Sequence, residues 1–387
     1  MSRKGIDLIP ALLFLLITPT IVCGQEKSSS VTTGGYISSM QSALFEDPKG
    51  DWIVDNLLHN RLKFRIYAGS KFTFGMGMKN RLFSGDMVRM DPGYADNIGN
   101  DPGVADLSWN VIDENSILLN STIDRLWIDY SSGIVQLRIG RQRINWGQTF
   151  VWNPNDIFNA YSYFDFDYAE RPGSDAIRLQ IYPSYSSTIE LAVKIDSEDD
   201  LTAAGLVRVN KWGYDFQFLA GYVNSEDIVI GTGWSGAFGS TSFRGEVSWF
   251  QPYDNFGDTT GTGMFTLSLD RSFSNNALAQ VQAMYCNNPL AFEDFESFYS
   301  GNLSAKDLAF SEFSLFGSLS FPIAPLFNFG ISAIWYPELN GYFAGPTLDW
   351  SLAENVDFSF IWQHFDSNQD SDRQKINLGF LRFKYSF

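Results

Sequence analysis

Hydrophobic and polar positions alternate along most of the chain with a period of two. Leu62, Phe64 and Ile66 interleave with Lys63, Arg65 and Tyr67, and Phe72, Phe74, Met76 and Met78 interleave with small or polar partners. The alternation returns in Val135/Leu137/Ile139, Ile177/Leu179/Ile181 and Ile189/Leu191/Val193/Ile195. It returns again in Tyr214/Phe216/Phe218, Val356/Phe358/Phe360/Trp362 and Leu381/Phe383/Tyr385/Phe387. Successive side chains of a strand point to opposite faces, so each segment carries one apolar face and one polar or small face. Helical periodicity is absent beyond residue 25. Eighteen strands are predicted, near 35–42, 61–68, 71–83, 117–131, 134–145, 174–183, 187–195, 203–211, 213–224, 228–239, 241–251, 262–272, 276–287, 310–321, 326–336, 342–352, 355–365 and 374–387.

The joins between them sort by length. Short ones fall at Gly69-Ser70, Ser132-Gly133, Ser184–Ser186, Lys211–Gly213, Ser240, Ser274-Asn275, Pro322–Pro325 and Ala353-Glu354. Between these come the generally longer joins at 84–116, 146–173, 196–202, 252–261, 288–309 and 366–373, with shorter ones near 225 and 338. A β-sandwich has no reason to sort its loops on alternate ends. A transmembrane barrel does, with short periplasmic turns and long outer loops. The expected fold is therefore an all-β, antiparallel, up-and-down transmembrane β-barrel, with 18 strands, or 16 if a few boundaries move. Closure follows because hydrocarbon leaves no partner for an open sheet edge.

Residues 1–24 predict a cleaved secretory signal. Arg3 and Lys4 precede the apolar Leu8–Ile17, and Val22-Cys23-Gly24 precede a cut before Gln25. Cys23 raises a lipoprotein alternative, but Thr20, Ile21 and Val22 make a poor lipobox. Residues 25–34 are read as a short periplasmic segment and 35–387 as the barrel. With Cys23 removed, Cys286 is the only cysteine left and forms no internal disulfide. The net charge of −17 lacks the basic footprint of a nucleic-acid binder. The chain holds 34 Phe, and aromatic residues make up 16% of it. Girdles of rings at the two membrane interfaces accommodate such a load, and Trp127, Trp212, Trp234, Trp249, Trp335, Trp350 and Trp362 all lie in or beside strands. Acidic residues gather in the long joins, Asp86 to Glu114 and Asp196 to Asp200 among them. A solvated, repulsive surface is the plainer reading of these, and Ca²⁺ binding or cation bridging to lipopolysaccharide the sharper one.

Two segments resemble known families. Leu381-Arg382-Phe383-Lys384-Tyr385-Ser386-Phe387 resembles the closing strand of Gram-negative outer-membrane proteins. That resemblance implies that Phe383, Tyr385 and Phe387 are read by the barrel-assembly machinery. Arg138-Ile139-Gly140-Arg141-Gln142-Arg143-Ile144-Asn145-Trp146-Gly147 resembles the R-x-G-R-Q-x-x-x-W-G strand of porin-like and alginate-export-like barrels. It supports the class and says little about substrate.

Parity places candidate pore residues. Arg125 and Asp129 fall inside, opposite lipid-facing Leu126, Ile128 and Tyr130, and Arg138 falls inside opposite Val135, Leu137 and Ile139. Arg178, Glu190, Lys194, Arg208 and Arg244 follow on later strands. Arg141 and Arg143 carry the lipid parity, so they sit at the polar rim unless a bulge at Gly140 turns them into the lumen. The join 146–173 holds Trp146, Phe150, Trp152, Phe158, Tyr161, Tyr163, Phe164, Phe166 and Tyr168. So many rings would form a sticky patch in water. The loop is expected to fold back into the mouth and narrow it, turning at Asn153-Pro154-Asn155-Asp156 and returning at Arg171-Pro172-Gly173.

The first functional reading is a porin-like channel for small hydrophilic solutes, with anions and saccharides as candidate classes. The alternative is a plugged barrel that serves surface polysaccharide binding, assembly or export. A hydrolase is a distant third, since only His59 and His364 exist and His364 shares parity with Trp362 and Phe360. No cofactor or metal is expected. Expected partners are outer-membrane lipid and lipopolysaccharide, the assembly machinery and small solutes. The sequence leaves the oligomeric state open.

Overall fold

The computed structural model describes residues 30–164, 173–254, 256–290, 304–369 and 372–387. The signal segment and the return at Arg171 lie outside the described residues. The strands are β1 (Val31–Phe45), β2 (Ile53–Ala68), β3 (Phe72–Gly85), β4 (Ser108–Glu114), β5 (Ile117–Ser132), β6 (Val135–Gln142), β7 (Ser174–Ser184), β8 (Ser187–Ile195), β9 (Leu201–Lys211) and β10 (Tyr214–Val223). They continue as β11 (Asp227–Phe238), β12 (Thr241–Pro252), β13 (Thr262–Ser272), β14 (Leu278–Cys286), β15 (Phe313–Ala324), β16 (Phe327–Tyr336), β17 (Gly341–Ala353), β18 (Val356–Gln369) and β19 (Asp372–Ser386). Every pairing in the wall is antiparallel, and β1 pairs with β19 from Tyr36↔Ser386 to Phe45↔Asn377, which closes the barrel. No described helix is long and apolar enough to cross a bilayer.

Nineteen strand segments make 18 wall positions, because β4 and β6 share one. One edge of β5 faces β3 along its length. Its other edge pairs with β4 over Ile117–Thr122 and with β6 over Leu126–Ser132. The sequence reading has one loop across 84–116. The structure places there two short helices, α1 (Asp86–Met90) and α2 (Tyr94–Gly99), followed by β4. The expected strand to Asn145 stops at Gln142, because the chain turns inward and Ile144 N–H donates to Asn159 Oδ1 at 2.9 Å. The barrel begins at Val31 rather than 35, since Val31–Gly34 pair with Lys63–Ile66.

Burial follows the alternation. Ile66, Ile128, Ile177, Leu191, Phe218, Ile230, Trp335 and Trp362 are exposed on the outer surface. Ala192, Leu206, Gln217, Glu246, Met264, Gln282 and Phe316, on the other parity, are buried inside. Exposed apolar rows outside and polar rows inside suit a wall with lipid on one side and water on the other.

The first described strand residue, Val31, and Phe387 both lie at the end with short turns. Phe387 completes that end, exchanging backbone hydrogen bonds with Gly35 at 2.8 and 3.0 Å. A side chain at Gly35 would run into the Arg61 carbonyl and the Phe387 ring, so only glycine allows this closure. Cys286 is buried, which leaves introduced cysteines easy to read. A cysteine replacing Glu198, in the β8–β9 join, is expected to react with an impermeant maleimide on intact cells. One replacing the fully exposed Tyr185, in the β7–β8 turn, should react only after lysis. Labelling of Tyr185→Cys on intact cells would invert the orientation.

Candidate solute pathway

Beyond β6 the chain leaves the wall and runs inside the barrel as far as residue 164, the last described before the join resumes at Gly173. A loop buried this way must find partners for its backbone groups. Inward side chains of the wall supply them. The Trp146 indole N–H donates to Glu190 Oε1 at 2.6 Å, and Trp146 O accepts from Gln217 Nε2 at 2.8 Å. Glu246 accepts from Thr149 N (2.8 Å), Thr149 Oγ1 (3.0 Å) and Asn155 N (3.0 Å), and also from Gln148 N. Gln282 accepts from Val151 N at 2.8 Å and donates to Trp152 O at 2.9 Å. Ser248 Oγ donates to Asn155 Oδ1 at 2.7 Å.

The loop's rings complete the seat. Phe158 meets Trp146 edge-on at 4.9 Å, and Phe164 meets Phe343 and Phe365 edge-on, each at 5.0 Å. Tyr163 lies 5.2 Å from Phe316. These inward phenylalanines belong to β15, β17 and β18, so the loop reaches from the β8–β14 wall that bonds its backbone to the rings of the strands beyond. Trp152, Asn153 and Asp156 are all buried, and Asp156 Oδ1 accepts from Trp146 N at 3.1 Å.

The arginines predicted for the pore fall into three groups. Arg138, Arg178, Arg208 and Arg244 face inward and are partnered. Arg138 Nε donates to Asp129 at 2.9 Å while its guanidinium lies 4.2 Å from the centre of the Trp127 ring. Arg178 grips Glu190 with two bonds, of 2.7 and 2.8 Å. Arg208 donates to Gln217 at 3.1 Å, and Arg244 lies 3.4 Å from Asp270. Lys194 is half-buried on the inward face of β8. Arg125 donates to the Asp124 carbonyl at 2.6 Å, beside the buried Arg61–Asp124 ion pair of 2.5 Å.

Arg141 is a correction. It keeps its outward parity, and the loop at 101–105 covers it. It pairs with Asp175 at 2.8 Å and Asp101 at 2.6 Å and donates to the Ala105 carbonyl at 2.7 Å. This is a rivet at the outer end of the wall and not a lining of the lumen. No bulge turns it inward, since the β5–β6 register runs unbroken through Gly140. Gly140 has φ +110° and abuts the Leu126 carbonyl, which is why no side chain fits there. The bulge in this region is at Gly77/Met78, between β3 and β5. Arg143 is half-buried just past the end of β6.

Other inward cations lie on the side of β1, β2 and β19. Lys63 and Arg65 are exposed and alternate with outward Phe64 and Ile66. Arg382 and Lys384 alternate with outward Leu381, Phe383 and Tyr385. Arg382 donates to Ser359 Oγ at 3.2 Å, and Lys384 lies 4.8 Å from the centre of the Tyr36 ring. Arg65, Arg382 and Lys384 form no ion pair among the described residues. Parity in the sequence carried all four of these residues. The lumen is thus asymmetric, with a loop seated against β8 to β18 and cations on β2 and β19.

The histidines are separate. His59 is buried with its ring 5.3 Å from Tyr36, while His364 faces outward beside Tyr342, its Nδ1 2.8 Å from Asn377 Oδ1.

No protein-family model matches the chain, and no curated protein sequence matches it. Solved structures do. Pseudomonas aeruginosa OccK11 (OpdR) superposes with a TM-score of 0.57 at 8% identity, over 92% of this chain and 96% of its own. Acinetobacter baumannii OccAB4 gives 0.58 at 8% identity, over 92% and 98%. Pseudomonas aeruginosa OccK5 (OpdH) gives 0.58 at 9% identity, over the same shares. By fold, this chain is a closed 18-strand barrel like those of Gram-negative outer-membrane channels.

Proposed function

We propose that the chain is an integral outer-membrane channel of the porin kind, passing small hydrophilic solutes with a preference for anions. One observation carries the reading: Lys63, Arg65, Arg382 and Lys384 line one side of a lumen that a fixed loop narrows from the other. Rings and ladders of like charge set selectivity in pores. Confinement strengthens them, because a charge beside low-dielectric walls is screened less than one in open water.

The arginines of β6–β9 have a second role on this reading. Each is neutralised or held by Asp129, Glu190 or Gln217, and they brace the wall on which the loop rests. The loop's dense bonding favours a plugged barrel as the alternative, with no aqueous path. The outward-parity terminus of Leu381, Phe383, Tyr385 and Phe387 fits recognition by the assembly machinery, and the acidic outer joins fit cation-bridged lipopolysaccharide.

Reconstitution in planar bilayers tests the proposal. Steady single-channel conductance is expected, with a reversal potential of the anion-selective sign across a salt gradient. Silence over many verified insertions would favour the plug, and cation selectivity would remove the basic wall from the account.

A further inference from the structure

The outer surface is apolar around most of the barrel and studded with polar side chains in one sector. From β7 to β19 the outward rows between the ring girdles are aliphatic or aromatic, as at Ile177, Leu191, Ile230 and Leu315. Across β1, β2 and β3 polar residues interrupt the apolar ones, in the half of the strands toward the long joins. Directly opposed residues of antiparallel strands share a face. One row runs Leu381–Gln41–Asn56–Ser84 from β19 to β3, and Leu381 is exposed outward. The next, Phe383–Ser39–Leu58–Leu82, is polar only at Ser39, and the one after it runs Tyr385–Ile37–Asn60–Asn80–Ser121–Trp109, with Tyr385 and Trp109 exposed outward at its two ends.

These residues sit at membrane depth. Ala43 is opposite Gly379, which is opposite Trp362 of the outer girdle, and Ile37 is opposite Tyr385 near the inner end. Ser39 and Gln41 lie between those limits. The Asn60 row bonds within the chain: Asn80 Nδ2 donates to Asn60 Oδ1 at 3.3 Å and Ser121 Oγ donates to Asn80 Oδ1 at 2.7 Å. The other two rows differ. Ser39, Gln41 and Asn56 are exposed and make no side-chain hydrogen bond among the described residues. Hydrocarbon offers an amide no partner, and leaving one there is costly.

We infer that this sector does not face lipid and is covered by the same sector of a second copy of the chain. The patch is neutral, so nothing in it recruits a charged partner or lipid headgroup. Asn and Gln each carry an N–H₂ donor and a carbonyl acceptor, and Ser carries both roles in one hydroxyl. A surface of such groups is complementary to itself, which is the requirement at a contact between identical chains. Amide and hydroxyl bonds across an interface are also what polar residues find inside membranes. The inference is independent of what, if anything, passes through the lumen.

Cysteine crosslinking in the native outer membrane tests it. With Asn56→Cys, oxidation is expected to move much of the chain to about twice the monomer mass or a higher multiple. With Ile230→Cys, on the apolar wall, the chain should stay monomeric. A monomeric Asn56→Cys, its capture of a protein of another mass, or equal crosslinking at Ile230→Cys would each overturn the proposal. The wild-type chain extracted in mild detergent guards against an unsuitable cysteine geometry. Native mass spectrometry should show an oligomer, and the Gln41→Leu/Asn56→Leu double variant should lose it while remaining a heat-modifiable folded barrel. A monomeric wild type, or an oligomer untouched by the double substitution, would also sink the idea.

Discussion

Replacing Glu246 with leucine is expected to raise single-channel conductance several-fold and to open the inward loop to protease. The carboxylate is fully buried and takes its bonds from Gln148 N, Thr149 N, Thr149 Oγ1 and Asn155 N. Leucine can accept none of them. Each buried polar group left unsatisfied costs about 1–3 kcal/mol, so three stranded N–H groups alone cost roughly 3–9 kcal/mol. The local restraints that remain, chiefly Gln282 with Val151 and Trp152, are worth about 1 kcal/mol net per bond. The turn from Gln148 to Asn155 should therefore detach, while Phe158 and Phe164 stay packed on the wall. Chymotrypsin cleavage near Phe150 and Trp152, scored on heat-modifiable barrel, separates loop release from misfolding. Glu246→Gln keeps one acceptor oxygen and should fall between wild type and leucine. A folded Glu246→Leu barrel with unchanged conductance and an intact loop would show that the rings, not the carboxylate, hold the loop.

The second large effect concerns charge. Lys63→Gln together with Arg65→Gln should move the reversal potential toward the cation-selective side, more so at low salt. At an ionic strength of 1 M the Debye length is only about 3 Å and the lumen field is largely screened, whereas at 0.1 M it is about 10 Å. The pair Arg138→Gln and Arg178→Gln should behave differently. It removes the cationic partners of Asp129 and Glu190, which are 4% and 3% exposed. Its main result should be a lower unfolding temperature, since one partner of a buried ion pair is lost. If the second pair moved the potential as far as the first, the braces would have to be counted as part of the filter.

Much of this was legible beforehand, because strand parity is a strong code. A one-residue slip puts a whole face on the wrong side of the wall, so Phe64/Lys63 or Ile177/Arg178 allow only one orientation. Connector length placed the turns for the same reason. Partnership was less visible. Arg138 and Arg178 read as inward cations, which they are, but their neutralisation by Asp129 and Glu190 depends on registers between strands that the one-dimensional pattern does not contain. Glu246 and Gln282 lie about a hundred residues or more from the loop they anchor. The missed strand β4 is a seven-residue segment whose Trp109 and Ile112 are out of step because of a bulge between Asn110 and Ile112. Broken alternation reads as loop.

That short strand also bears on how such a barrel can be built. A loop that dives inside removes half a strand from the wall and would leave the outer half of β5 with an open row of backbone groups. Here the missing half is supplied by the segment just before β5, joined to it by the two-residue turn Asn115-Ser116. The repair thus precedes the break in chain order, and a local hairpin closes far faster than a contact between distant strands. The replacement is a local hairpin partner of β5 and does not depend on where β6 goes. Transplanting the inward loop alone into another barrel would open a seam, whereas the span from β4 to β7 travels as one self-sealing cassette.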